Sequence, residues 1–256
     1  MKEKEFIDYY KTVSDNLKVF LRDYHDDFNT FLALMDTLQR IWAPIGTDRD
    51  LKGNHHAGLV PFVNLLVRHL VFGFQHIVSY QSFIAWLAFR PGLEAFLIIG
   101  KFVDDPVNAQ IWLKRNEDRK SYGEAFFGKS LVSESLSRSA DFQKVLSRLN
   151  DNFMHPNPNF TYRDMVIEEN ETSMFVKILY FDDSPELHEA HLLSYLNLLN
   201  EIVTASEKLM SKLFGTPRQH RIRKELAQRL RTRALYLLSI KPFTERIMKE
   251  LGLIKL

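Results

Sequence analysis

The chain has 256 residues and no cysteine, which excludes disulfides, thiolate metal centres and a cysteine nucleophile. Glycine and proline are sparse, at 10 and 9 residues. Because these two residues punctuate secondary structure most strongly, long uninterrupted elements are expected. There is no internal repeat, no dinucleotide-binding glycine fingerprint and no G-x-S-x-G nucleophile elbow, and no phosphate loop is expected. Glu-x-x-His, the motif of di-iron carboxylate bundles, is also missing. Residues 1–16, MKEKEFIDYYKTVSDN, lack an apolar run, so no signal peptide is expected. Together these absences lead us to expect a cytoplasmic protein without cofactor or metal.

A further absence is local. Residues 69–89, HLVFGFQHIVSYQSFIAWLAF, contain no Asp, Glu, Lys or Arg. The stretch is long enough to span a bilayer. However, His69, Gln75, His76, Ser79, Tyr80, Gln81 and Ser82 would then put polar groups into hydrocarbon. A central pair of buried helices is expected instead, with no membrane partner.

What is present is a helical pattern rich in bulky apolar side chains: 45% hydrophobic residues and 20 phenylalanines. Phe6, Tyr10, Val13, Leu17, Phe20, Tyr24, Phe28, Phe31, Met35, Leu38 and Trp42 advance in steps of three and four up to Pro44, the period of a helix. One long helix or two stacked ones with a bend near His25–Asp27 both fit. Residues 58–103 are apolar nearly all round and are expected at the centre of a bundle. Asp105-Pro106 reads as the start of a helix through about Asn116, and another helix is expected from about Lys129 to Met154. Two β-rich runs between residues 161 and 181 flank a polar turn, the pattern of a hairpin. A strong helix follows from Pro185 to Phe214, capped by Ser184, and a basic helical extension covers 217–256. The fold class expected is therefore mainly α: one helical domain over 1–256 with an inserted β-hairpin.

Several residues could carry chemistry. Arg90 and Glu94, four apart in FRPGLEAFL, would share a helix face and are expected to be buried and paired. They form either a structural brace or an anion-binding arginine held by a carboxylate. His188 and His191 in PELHEAH have a spacing that could chelate a metal, but no third ligand is identifiable, and a solvated polar helix start is expected. Residues 218–233, RQHRIRKELAQRLRTR, hold seven bases and one acid. Arg221, Lys224 and Arg231 would face outwards there, either as a solvated face or as a surface for RNA or an acidic protein partner.

The stretch RLNDNFMHPNP, residues 148–158, sets Arg148 and His155 on nearly one helix face, with Asn150, Asp151 and Asn152 between them. Pro156 puts His155 at the helix end, where the negative pole of the helix favours an imidazolium. A proton-exchanging histidine and an arginine near a phosphate suffice for attack of a 2′-hydroxyl on its own phosphate. The alternative is that the prolines simply stop the helix before the hairpin.

This R-x6-H spacing at a helix end resembles the R-x(4–6)-H motif of the HEPN superfamily. More broadly, FRPGLEAFL, then DDPVNAQIW, then NFMHPNP before a hairpin and a long helix, is similar to a group of HEPN-like bacterial helical proteins over about residues 60–210. Leu149 stands where HEPN nucleases carry a polar residue. The resemblance implies a metal-independent RNase or RNA-binding component of a defence or toxin–antitoxin system. It also implies a homodimer, with Arg148 and His155 as the catalytic pair.

Overall fold

A computed structural model describes residues 3–47, 58–151, 165–169, 174–178, 181–182 and 184–214, and in the C-terminal segment residues 228–229, 232–233, 235–236 and 239. The fold is mainly α. Among the described residues there are eight α-helices, numbered α1 to α8 in chain order.

The N-terminal periodicity resolves into two helices, α1 (Glu3–Asp23) and α2 (His25–Thr47). The chain bends at Tyr24, and Asp26 and Asp27 open α2, where acidic side chains oppose the positive helix end. Phe31, Leu34, Met35, Leu38, Ile41, Trp42 and Ile45 carry the apolar stripe of α2 into the core. Pro44, expected to end the element, stays inside it. Proline there removes one helical hydrogen bond, while Trp42 and Ile45 on either side of it are buried in the core.

The uncharged centre folds as an antiparallel pair, α3 (Val60–Val78) and α4 (Ser82–Asp104). Residues 69–89 are thus not one span. The break is at Ser79–Gln81, where Tyr80 takes a left-handed φ of 60° and Gln81 N–H donates to His76 O at 2.8 Å. By length and composition α4 is the one described helix apolar enough to cross a membrane, yet thirteen of its residues are buried in the bundle. Two glycines let the pair approach closely. A Cβ on Gly92 would lie 2.9 Å from His69 Cβ, and one on Gly73 would lie 3.1 Å from Ala85 O and 2.6 Å from the Tyr195 hydroxyl. Tyr195 belongs to α8 (Pro185–Phe214), which packs on α2, α3 and α4, and its hydroxyl donates to Leu70 O at 2.5 Å. Ser184 Oγ accepts from Leu187 N–H at 3.1 Å and caps α8 as its sequence indicated.

Asp105 Oδ1 accepts from Val107 N–H at 2.9 Å and opens α5 (Val107–Leu113), which ends earlier than Asn116. The helix expected from Lys129 to Met154 is corrected: α6 (Arg119–Phe126) and a 3-10 turn (Gly128–Leu131) precede a loop, and α7 begins only at Ser139 and runs to Leu149. The cause is side-chain competition for backbone donors. Ser139 Oγ accepts from Ser133 N–H at 2.7 Å, Ser133 Oγ from Leu136 N–H at 3.1 Å, and the Asp104 carboxylate from Glu134 N–H and Ser135 N–H at 2.9 and 2.6 Å. Strands β1 (Met165–Glu169) and β2 (Met174–Ile178) pair antiparallel, with Met165 opposite Ile178 and Glu169 opposite Met174.

Candidate functional site

Of the residues singled out from the sequence, Arg90, Glu94 and Asn150 meet where α7 lies on α4. Phe142, Leu146 and Leu149 are buried, with the Phe142 ring edge-on to Phe96 at 5.5 Å. This apolar stripe holds α7 against α4, so the residues just after it project beside the middle of α4. There the backbone widens into a π-helical turn at Asn150 and Asp151, a local geometry common at functional sites. Arg90 Nε donates to Asn150 Oδ1, and Arg90 Nη1 pairs with Glu94 Oε2 at 3.2 Å. The helix continues through Pro91 and Gly92, which puts Arg90 and Glu94 on one face.

The expectation that this pair is buried is corrected: the side chains are 24% and 35% exposed. The apolar run around Arg90 is covered by α3 on its other face, while this face is partly open to solvent. The carboxylate and the amide orient the guanidinium from two sides. Among the described residues Nη2 has no partner, which leaves it available to an anion. Arg148 is exposed in the last turn of α7, and Asp151 is exposed beside it. His155, Arg221, Lys224 and Arg231 lie outside the described residues. The structure therefore joins Arg90, Glu94 and Asn150 and sets Arg148 and Asp151 at the same helix end.

Tyr122 on α6 extends this locale and was not legible in the sequence. Burial, then the negative charge of Glu94, push its phenol pKa up, with Arg115 opposing. The Arg115 guanidinium lies over the Trp112 ring at 4.0 Å, a cation–π arrangement.

A second polar cluster lies at the start of α4, and it corrects the expected solvated helix start. His188 is 0% exposed, and its Nδ1 lies 3.0 Å from Asp182 Oδ2. The same carboxylate accepts from Ser82 Oγ at 2.6 Å and Ser82 N–H at 3.2 Å. Burial raises the Asp182 pKa, but hydrogen bonds from His188 and Ser82 outweigh it and hold the group below the usual carboxylate range. The imidazole stacks on Tyr80 at 3.8 Å and meets Tyr24 and Phe20 edge-on at 5.5 and 5.9 Å. Ser82 donates to the carboxylate and not to the imidazole, so this is no nucleophile triad. His191, the other member of the i,i+3 pair, accepts from Trp86 Nε1 at 3.0 Å, so the two histidines have separate partners.

Arg233 corrects the picture of a basic run turned wholly outwards. Its Nη1 contacts both oxygens of the buried Asp27 at 2.6 and 2.7 Å, and its Nη2 lies 2.7 Å from Glu189 Oε1. These contacts form one wall of an open cavity of about 600 Å³ at the α1–α2 bend.

Residues 123–130, GEAFFGKS, do carry the letter spacing of a phosphate loop, against the expectation stated above. Structurally they are the end of α6 and a 3-10 turn, with no strand before them and no long helix after. The strand–loop–helix cradle that the motif requires is thus missing here.

No family model, curated protein or solved structure matches this chain.

Proposed function

We propose that this chain is a HEPN-like helical protein that binds single-stranded RNA beside the contact of α4 with the end of α7 and cleaves it without a metal ion. The observation carrying this reading is the Arg90–Asn150 hydrogen bond. It brings R-x3-E on α4 against Asn150, two residues after Arg148 in the R-x6-H stretch that begins on α7. In this reading Arg90, oriented by Glu94 and Asn150, and Arg148 neutralise the scissile phosphate, and His155 exchanges the proton. The 2′-oxygen bonds to phosphorus as its proton passes to the imidazole. The P–O5′ bond breaks, and the departing oxygen takes a proton back from the imidazolium. A 2′,3′-cyclic phosphate remains.

The test is cleavage of single-stranded RNA by the full chain in the presence of EDTA. We expect cyclic or 3′-phosphate ends, with His155→Ala inactive but folded and Arg148→Ala losing most of the rate. A wild type that cuts no RNA, or a His155→Ala variant that cuts equally well, rejects the catalytic reading. Homodimerisation belongs to the same proposal.

One observation favours a second reading, a non-catalytic module whose basic C-terminal run docks an acidic protein: Arg233 of that run already grips Asp27 and Glu189. On this reading RNA is neither cut nor bound, and replacing Arg221, Lys224 and Arg231 with Gln weakens only the protein contact.

A further inference from the structure

We propose that Tyr122 and Phe127 form a stacking ledge for the bases of single-stranded RNA beside the Arg90–Glu94–Asn150 cluster. This rests on the RNA-binding reading above and names how that site would hold its substrate.

The ledge follows from how α6 is anchored. Phe126 turns inward, 4% exposed, with its ring edge-on to Phe102 of α4 at 6.3 Å. One turn earlier Tyr122 stacks on Phe126 at 5.3 Å and 25–30° of tilt, the interplanar angle being 29°. Phe127 must then point away from the core. It is 64% exposed, yet it is held, edge-on to Tyr122 at 5.4 Å and close enough to Gly123 that a Cβ there would meet its ring at 3.5 Å. Gly128 follows with a left-handed φ of 58°, with nothing within 4 Å of where its Cβ would be. The backbone thus turns off and leaves open space beside the exposed ring.

The surroundings select the occupant. Phe126, on which Tyr122 stacks, docks on Phe102 of α4, about two turns beyond Glu94 on the same helix, and Tyr122 feels the charges of Glu94 and Arg115. Lys114, Arg119, Lys120 and Lys129 are exposed, Arg115 lies flat on Trp112, and across residues 114–129 these bases outnumber Glu117, Asp118 and Glu124. An apolar protein partner would meet a continuous greasy face. Rings interleaved with cations instead match an unpaired strand, whose bases offer π-faces and whose backbone offers one negative charge per nucleotide. A duplex hides those faces.

The probe is a short fluorescein-labelled oligoadenylate with 2′-O-methyl riboses, which cannot be cut, so anisotropy reads binding alone. Phe127→Ala should weaken binding about tenfold, in the range of one lost stacking contact, while its circular-dichroism melt stays at the wild-type temperature. Phe127→Trp should retain binding, with indole emission quenched by the bases. Equal affinity of wild type and Phe127→Ala overturns the ledge, as does a wild type that binds the matching duplex as tightly as the single strand. If the wild type binds no single strand and Phe127→Ala instead splits a dimer in light scattering, the ring belongs to a contact between copies of this chain. Ledge-dependent binding with no cleavage of unmodified RNA leaves the ledge standing and rejects only the catalytic step.

Discussion

The middle of α4 and its first turn each carry a polar cluster, and the two differ in the opposite sense from what their local sequences suggest. Arg90 and Glu94 sit in the most apolar stretch of the chain, yet they are 24% and 35% exposed. His188 sits in the polar string PELHEAH, yet it and Asp182 are 0% and 6% exposed. The difference lies in what docks on each face. α7 reaches Arg90 only with the polar turn at its end, whereas Tyr80, Tyr24 and Phe20 close over His188. An open polar pair is cheap to change and free to meet a ligand. A closed one is costly to disturb, because its partners have no water to turn to.

The sharpest way to break the comparison is at Asp182. Replacing it with Ala strips the imidazole and the Ser82 hydroxyl and N–H of their shared acceptor inside a dry pocket, and should cost about 3–5 kcal/mol in urea unfolding. A loss below about 1 kcal/mol would mean that the cluster is solvated after all. We expect no comparable loss from any single change in the Arg90 cluster.

The acid limb of the stability curve separates the clusters next. The Asp182 pKa is depressed in the fold, so the carboxylate adds stability above its unfolded value of about 4 and loses it as pH falls through the lower folded value. The gap in unfolding free energy between wild type and Asp182→Asn should therefore narrow as pH falls below about 4. A gap that keeps its size down to acid unfolding would show that the charge of Asp182 is not what the pocket holds.

Sequence patterning goes far on the elements and less far on the sites, and the reasons are physical. The 3.6 period, Ser184 before Pro185 and the uncharged stretch around Ser79–Gln81 are local signals, and α1 to α4 and α8 follow from them. The helix expected from Lys129 to Met154 is right from Ser139 onwards and wrong before it, because serine is only mildly unfavourable to helix formation. The structure shows Ser133, Ser139 and Asp104 each taking backbone donors across a loop, and Asp104 is 31 residues away from Ser135. Arg90 and Glu94 were legible as a pair because i,i+4 is a helix neighbour relation. The bond from Arg90 to Asn150 spans 60 residues, and nothing local encodes it. Tyr122, Phe127 and the Arg233–Asp27 clamp likewise depend on which helices meet. GEAFFGKS teaches the converse: the letters of a motif carry no chemistry without the strand and helix that give them shape.

The smallest effect is expected at Glu94, and it sharpens the comparison most finely. A fully buried pair would make Glu94→Ala cost about 3 kcal/mol or more, through an arginine left alone. With the pair open to solvent, water can replace the carboxylate, and the cost should fall to about 1 kcal/mol or less. Arg90 should nevertheless respond, since Glu94 and Asn150 hold the same guanidinium from two sides. Removing one restraint leaves the other to set its direction, and removing both releases it. A double-mutant cycle of Glu94→Ala with Asn150→Ala should therefore be non-additive by about 0.5–1 kcal/mol in urea unfolding, as expected for groups sharing one partner. Strict additivity would mean that Arg90 is not held jointly. A single-variant loss near 3 kcal/mol would mean that the pair is closed off from solvent, making the two clusters of α4 alike.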